Sequence, residues 1–112
     1  MKLSAEQIQS NWVEFNNNIE EHITGDRKQK LLDFYKKFED RIILMPASHK
    51  KEYHSAFPGG YVDHVNRVVE ASLKMYGVWE QFGMDASTFT IEELVFSAIN
   101  HDLGKMGDSE HE

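Results

Sequence analysis

The sequence predicts an all-α domain, and three observations carry that prediction. Apolar residues recur at steps of three and four along most of the chain, which is helical spacing. Ser or Thr followed three residues later by Gln or Glu stands ahead of two of these stretches, as in a helix-capping box. No stretch reads convincingly as a strand. The 112 residues fit one domain with a modest core.

The first predicted helix runs from about Ser4 to Ile23. Ser4 and Gln7 have capping-box spacing, and Ile8, Trp12, Phe15, Ile19 and Ile23 fall on one face. Gly25 is the expected stop, with Asp26 and Gln29 capping the next helix. That second helix runs from about Arg27 to Ile43 on Leu31, Phe34 or Tyr35, Phe38 and Ile42. Met45-Pro46 ends it, because a proline pushes the residue before it out of helical geometry. Residues 46 to 60 read as a long loop, a length that often carries function. It is also the locally basic stretch, with Lys50 and Lys51 between His49 and His54. Pro58-Gly59-Gly60 makes a sharp entry into a third helix, from about Tyr61 to Phe82, whose first turn holds His64. Its face follows Val62, Val65, Val68 or Val69, Ser72, Met75 or Tyr76, and Trp79, and Gly83 closes it. Thr90 with Glu93 caps a fourth helix, which carries Leu94, Val95, Ala98 and Ile99 into His101-Asp102. Trp12 and Trp79 are expected in the core. His22 and His111 are expected at the solvated surface, with Glu20-Glu21 and Lys36-Lys37 on solvated helix faces.

Composition limits the function. With 40% hydrophobic and 28% charged residues the chain reads as globular rather than disordered. Twelve Lys and Arg against 19 Asp and Glu give a net charge of −7. Broad binding along a nucleic-acid backbone usually needs a basic face, so nucleic acid fits only as a strand end. The absence of cysteine removes disulfides, zinc-thiolate sites and cysteine nucleophiles together. No apolar run approaches the ~20 residues of a membrane span, and Met1 to Gln7 has no signal-peptide core. A cytoplasmic protein without a membrane partner is expected.

Two motifs carry chemistry. In Asn100-His101-Asp102-Leu103-Gly104-Lys105, an imidazole beside a carboxylate offers one nitrogen and one oxygen ligand. Adjacent residues on an ideal helix point about 100° apart, so sharing a metal needs a local turn near a helix end, which Gly104 would permit. Lys105 puts a positive charge where a phosphate oxygen would lie. The second motif is Phe57-Pro58-Gly59-Gly60-Tyr61-Val62-Asp63-His64. Taken alone, His64 among valines reads as a packed core histidine.

Together the motifs resemble the HD superfamily of metal-dependent phosphohydrolases. That pattern has a first His on one helix, an adjacent His-Asp on a later helix, and then a distant Asp. His64 matches the first His, and His101-Asp102 match the doublet. The stretch His54-Ser55-Ala56-Phe57-Pro58-Gly59-Gly60 is similar to the lead-in of bacterial HD-type 3′-to-5′ exoribonucleases. The resemblance covers roughly residues 46 to 108. It divides the chain into an N-terminal helical scaffold, 1–45, and a partial HD region, 46–112. It implies an HD-type helical domain of about four main helices without the usual C-terminal ones. The family's last Asp would lie beyond Glu112, and Asp108 is too near the doublet for that role. The chain is therefore expected to be a fragment or a degenerate member, with an incomplete site and low activity by itself.

The resemblance implies a divalent metal held by His64, His101 and Asp102. Mixed nitrogen and oxygen donors suit Mn, Fe, Co, Ni or Zn better than Mg. Asp102 and Lys105 would be catalytic, and Lys105 and His54 would contact substrate. The expected activity is hydrolysis of a phosphate ester in a nucleotide or a nucleic-acid end. Three alternatives stand beside it: a di-iron oxygenase of the same type, a non-catalytic binding or regulatory module, and a purely structural helical domain. Apolar surface left uncovered around His64 and Ile99 is expected to favour a homodimer.

Overall fold

Ser4 caps the chain's first helix with a complete capping box. Its hydroxyl accepts from the Gln7 amide at 3.1 Å while the Gln7 side chain accepts from the Ser4 amide at 2.8 Å. The computed structural model describes residues 2–46, 57–83 and 90–102. Among them lie five helices and no strand: α1 (Ala5–His22), α2 (Gly25–Lys37), α3 (Glu39–Ile42), α4 (Gly60–Gln81) and α5 (Ile91–Asn100). The fold is all-α.

The expected second helix is two. Phe38, at φ −107° and ψ 17°, leaves helical geometry and separates α2 from the single turn of α3. The cap between α1 and α2 also differs from expectation. Ile23 ends α1 in extended backbone, Thr24 is the N-cap of α2, and Gly25 opens α2 rather than stopping α1. The Thr24 hydroxyl donates instead to Glu92 Oε1 at 2.8 Å, which ties this corner to α5. The Thr90 cap is as expected, its side chain accepting from the Glu93 amide at 3.1 Å.

Helix α1 packs against α2, α4 and α5, and α4 packs most extensively on α5. Trp12, Phe15, Ile19 and Ile23 meet Tyr35, Ile42, Val62, Val65, Val69, Val95 and Ile99 in one buried cluster. Within it Trp12 stacks on Phe15 at 5.3 Å, and Phe15 meets Tyr35 edge-on at 4.8 Å. Burying side chains of this size contributes roughly 1.5–3 kcal/mol each.

Four expectations about burial are corrected. Trp79 is not core: it is 43% exposed, in a row with Met75, Val78 and Phe82. Helix α4 has 22 residues against 10 in α5, about 33 Å against about 15 Å, so its second half outruns its neighbour. Tyr76 is the last residue of α4 to be buried. Phe38 is only partly buried. Ile99 is fully buried, so the uncovered apolar surface lies at the far end of α4 and not around Ile99. His22 is half-buried rather than solvated, its ring 4.0 Å from Glu21. Among the described residues no helix is long and apolar enough to cross a membrane.

Candidate metal centre

The site begins with the entry to α4. Gly59 is its N-cap in the left-handed region, φ 82°. A Cβ on Gly59 would lie 2.8 Å from Ile8 Cγ1 of the neighbouring helix, so glycine is required by both conformation and space. The Gly59 amide donates to the Leu44 carbonyl at 3.1 Å and the Tyr61 amide to the Met45 carbonyl at 2.9 Å. These bonds pin the start of α4 beside the end of α3. His64 is the fifth residue of α4, one step beyond the expected first turn.

A polar seam with α1 sets the rotation of α4. Asn11 donates through Nδ2 to Asp63 Oδ1 at 3.3 Å, and Asn66 donates through Nδ2 to the Asn11 carbonyl at 2.9 Å. Arg67 donates to Asp63 Oδ2 at 2.9 Å from the outer side. The residues flanking His64 are thus held by their own partners.

Helix α5 presents the doublet. Its backbone stays right-handed through His101, φ −61° and ψ −32°. The helix nevertheless ends at Asn100, and His101-Asp102 stand in the turn that follows, as expected of a shared site near a helix end; Gly104 lies outside the described residues. Asn100 is fixed twice, donating to the Phe96 carbonyl at 2.8 Å and accepting from the Tyr35 hydroxyl at 2.6 Å. The His101 ring lies with Nδ1 2.7 Å from the Ala98 carbonyl. A carbonyl only accepts, so Nδ1 carries the hydrogen. Nε2 is the other ring nitrogen, and it faces the carboxylate of Asp102.

His64, His101 and Asp102 then come together. Asp102 Oδ2 is 2.9 Å from His101 Nε2 and 3.6 Å from His64 Nε2. The two rings lie 5.7 Å apart between centroids, and one ligand-type atom from each of the three residues falls within 4.8 Å of the others. Neighbouring ligands at about 2.0–2.2 Å from one ion are roughly 3.0–3.4 Å apart, so an ion needs only a small closure of this triad. Two imidazole nitrogens and a carboxylate oxygen facing one another also form a mixed donor set that suits a divalent cation. The three side chains are 25% to 37% exposed, which leaves the site reachable from solvent.

Two buried tyrosines stand behind the triad, and sequence reading missed them. Tyr35 is fully buried with its hydroxyl on Asn100. Burial, and next the neighbouring Tyr61, pushes its pKa well above the ordinary tyrosine value. Tyr61 is 1% exposed, and burial followed by the negative charge of Asp102 raises it from 10.0 to about 12. The one available signal was spacing: Tyr61 stands three residues before His64 and so shares its side of the helix. Lys105, His54, His49, His111 and Asp108 lie outside the described residues. A groove of about 590 Å³ is lined by Arg27, Lys30, Leu31, Phe34, Phe96 and Asn100. None of the triad lines it, so it adjoins the candidate centre only through Asn100.

No family model, curated protein or solved structure matches this chain.

Proposed function

We propose that this protein is an HD-type, metal-dependent phosphohydrolase that acts on a phosphate ester of a nucleotide or a nucleic-acid end. The observation that carries the reading is the meeting of His64, from one helix, with the adjacent His101-Asp102 at the end of another, all within 4.8 Å. The HD pattern asks for those residue types in that order. Nothing in the composition, periodicity or helix caps requires two separate helices to bring them to one point.

The residues fit a divalent ion of borderline softness such as Mn, Co, Fe, Ni or Zn. Such an ion lowers the pKa of a bound water toward ~7 and polarises a phosphoryl oxygen. The chain's own contribution is orientation. The Ala98 carbonyl fixes the hydrogen of His101 on Nδ1, which raises the basicity of the ligating nitrogen. Asp102 directs one carboxylate oxygen at both rings, and its second oxygen is the group to accept a hydrogen bond from an attacking water. Lys105 is assigned the neutralisation of charge developing on the phosphate, and His54 a substrate contact, both on the sequence alone. The net charge of −7 limits the substrate to a small or terminal phosphate group rather than a long backbone.

The test joins binding to turnover. Calorimetry with Mn²⁺ or Co²⁺ should give a saturable stoichiometry that Asp102→Ala and His101→Ala abolish. Hydrolysis of bis-p-nitrophenyl phosphate and of short oligonucleotides should require the added metal, stop with chelator and fall to background in Asp102→Ala. Absence of metal uptake by the folded wild-type protein, or hydrolysis unchanged in Asp102→Ala, would sink the proposal.

A further inference from the structure

Of the two fully buried tyrosines, one has a hydrogen-bond partner among the described residues and one does not. The Tyr35 hydroxyl donates to Asn100 Oδ1 at 2.6 Å. The Tyr61 hydroxyl is sealed from solvent and has no partner among the described residues. A buried hydroxyl left unpaired costs stability, so phenylalanine would serve the core better at this position. The hydroxyl is not remote from chemistry. Tyr61 lies three residues before His64, on the same side of α4, and the carboxylate of Asp102 acts electrostatically on its oxygen. The phenol is thus a neutral donor without a partner among the described residues, on the side of α4 that carries His64.

We propose that Tyr61 is a positioning residue of the metal centre, whose unpaired hydroxyl takes up a hydrogen bond to the Asp102 carboxylate, directly or through one water, when the triad closes on its ion, and so fixes which carboxylate oxygen faces it. This rests on the reading of His64, His101 and Asp102 as ligands. A neutral donor on the outer oxygen leaves the inner one anionic and oriented, which is how outer partners hold a ligating carboxylate. Tyrosine suits the task because its hydroxyl is rigidly placed by a ring that is itself packed in the core.

The experiment compares wild type with Tyr61→Phe, which removes one oxygen and keeps the ring. Cobalt(II) alone is the probe, read by titration calorimetry and by its visible absorption. We expect Tyr61→Phe to bind Co²⁺ about 10–100-fold more weakly, with an altered visible spectrum. In chelator-treated protein its melting temperature should equal or exceed that of wild type. That opposition separates positioning from structure, since a merely structural hydroxyl would lower the melting temperature when lost. Wild-type Co²⁺ affinity and spectrum in Tyr61→Phe would overturn the inference while leaving the triad's reading intact. So would a fall in the melting temperature of the chelator-treated variant. Failure of wild type itself to bind Co²⁺ overturns that reading and this inference together.

Discussion

Tyr35 and Tyr61 sit within one core but respond to alkali for different local reasons. Both hydroxyls are shielded from water, and a buried phenolate is disfavoured. Asp102 adds its negative charge at Tyr61, whereas Tyr35 feels Tyr61. The sign of the pH effect follows. The unfolded chain gives up these protons near 10, while the folded chain keeps the Tyr61 proton to about 12 and that of Tyr35 higher still. Stability is therefore complete below pH 10 and falls as pH rises through that window, because the unfolded state is then the better proton donor. Circular dichroism across this range should show unfolding that begins near pH 10. Tyr35→Phe and Tyr61→Phe should each make the decline shallower, and a slope identical to wild type in both would contradict this account.

At the scale of the element, the entry to α4 decides where His64 goes. Gly59 has a positive φ and a neighbour 2.8 Å from the place a Cβ would occupy. A left-handed conformation costs a residue with a Cβ roughly 1–2 kcal/mol, and crowding a packed contact adds about 1–3 kcal/mol. Gly59→Ala should therefore destabilise the protein by about 2–5 kcal/mol in urea unfolding. Adding Ile8→Ala removes the clash but not the strained φ, so the double variant should recover only part of the crowding cost. If Gly59→Ala leaves the urea midpoint unchanged, the entry is softer than its geometry implies. The caps of α1 and α5 were readable because a capping box is a local pattern. The break at Phe38 was not, since Lys37-Phe38-Glu39 contains no proline or glycine to mark it. Thr24 was missed as the N-cap of α2 because its hydroxyl bonds to Glu92, far away in sequence.

At the scale of the molecule, the two tryptophans report on the core and on the far end of α4. Trp12 is 5% exposed and stacked in the core, while Trp79 is 43% exposed on the overhanging part of α4. Trp12→Ala should cost about 3–5 kcal/mol in chemical denaturation. Trp79→Ala should change stability by no more than about 0.5 kcal/mol. Acrylamide should quench the emission that remains in Trp12→Phe and spare most of that in Trp79→Phe. Equal quenching of the two variants would show that the end of α4 is covered. Both residues stand on apolar stripes of their helices, so periodicity alone could not separate them. The length of the neighbouring helix does.

The sequence by itself determined the all-α class, the start of α1 and of α5, the glycine entry to α4 and the three residues proposed as ligands. These are local matters: side-chain period, cap chemistry and φ are set within a few residues of the chain. Only the tertiary structure decided that Trp79 and Met75 face outward, that Ile99 is covered, and that Tyr35 and Tyr61 stand behind the triad. It also decided that His64 lies 3.6 Å from Asp102 across two helices. Those outcomes depend on which helices are long enough to cover which faces, and on hydrogen bonds such as Tyr35 to Asn100 and Asn66 to Asn11 that join distant parts of the chain. A one-dimensional pattern fixes which side of a helix is apolar, but not how far its neighbour extends along it.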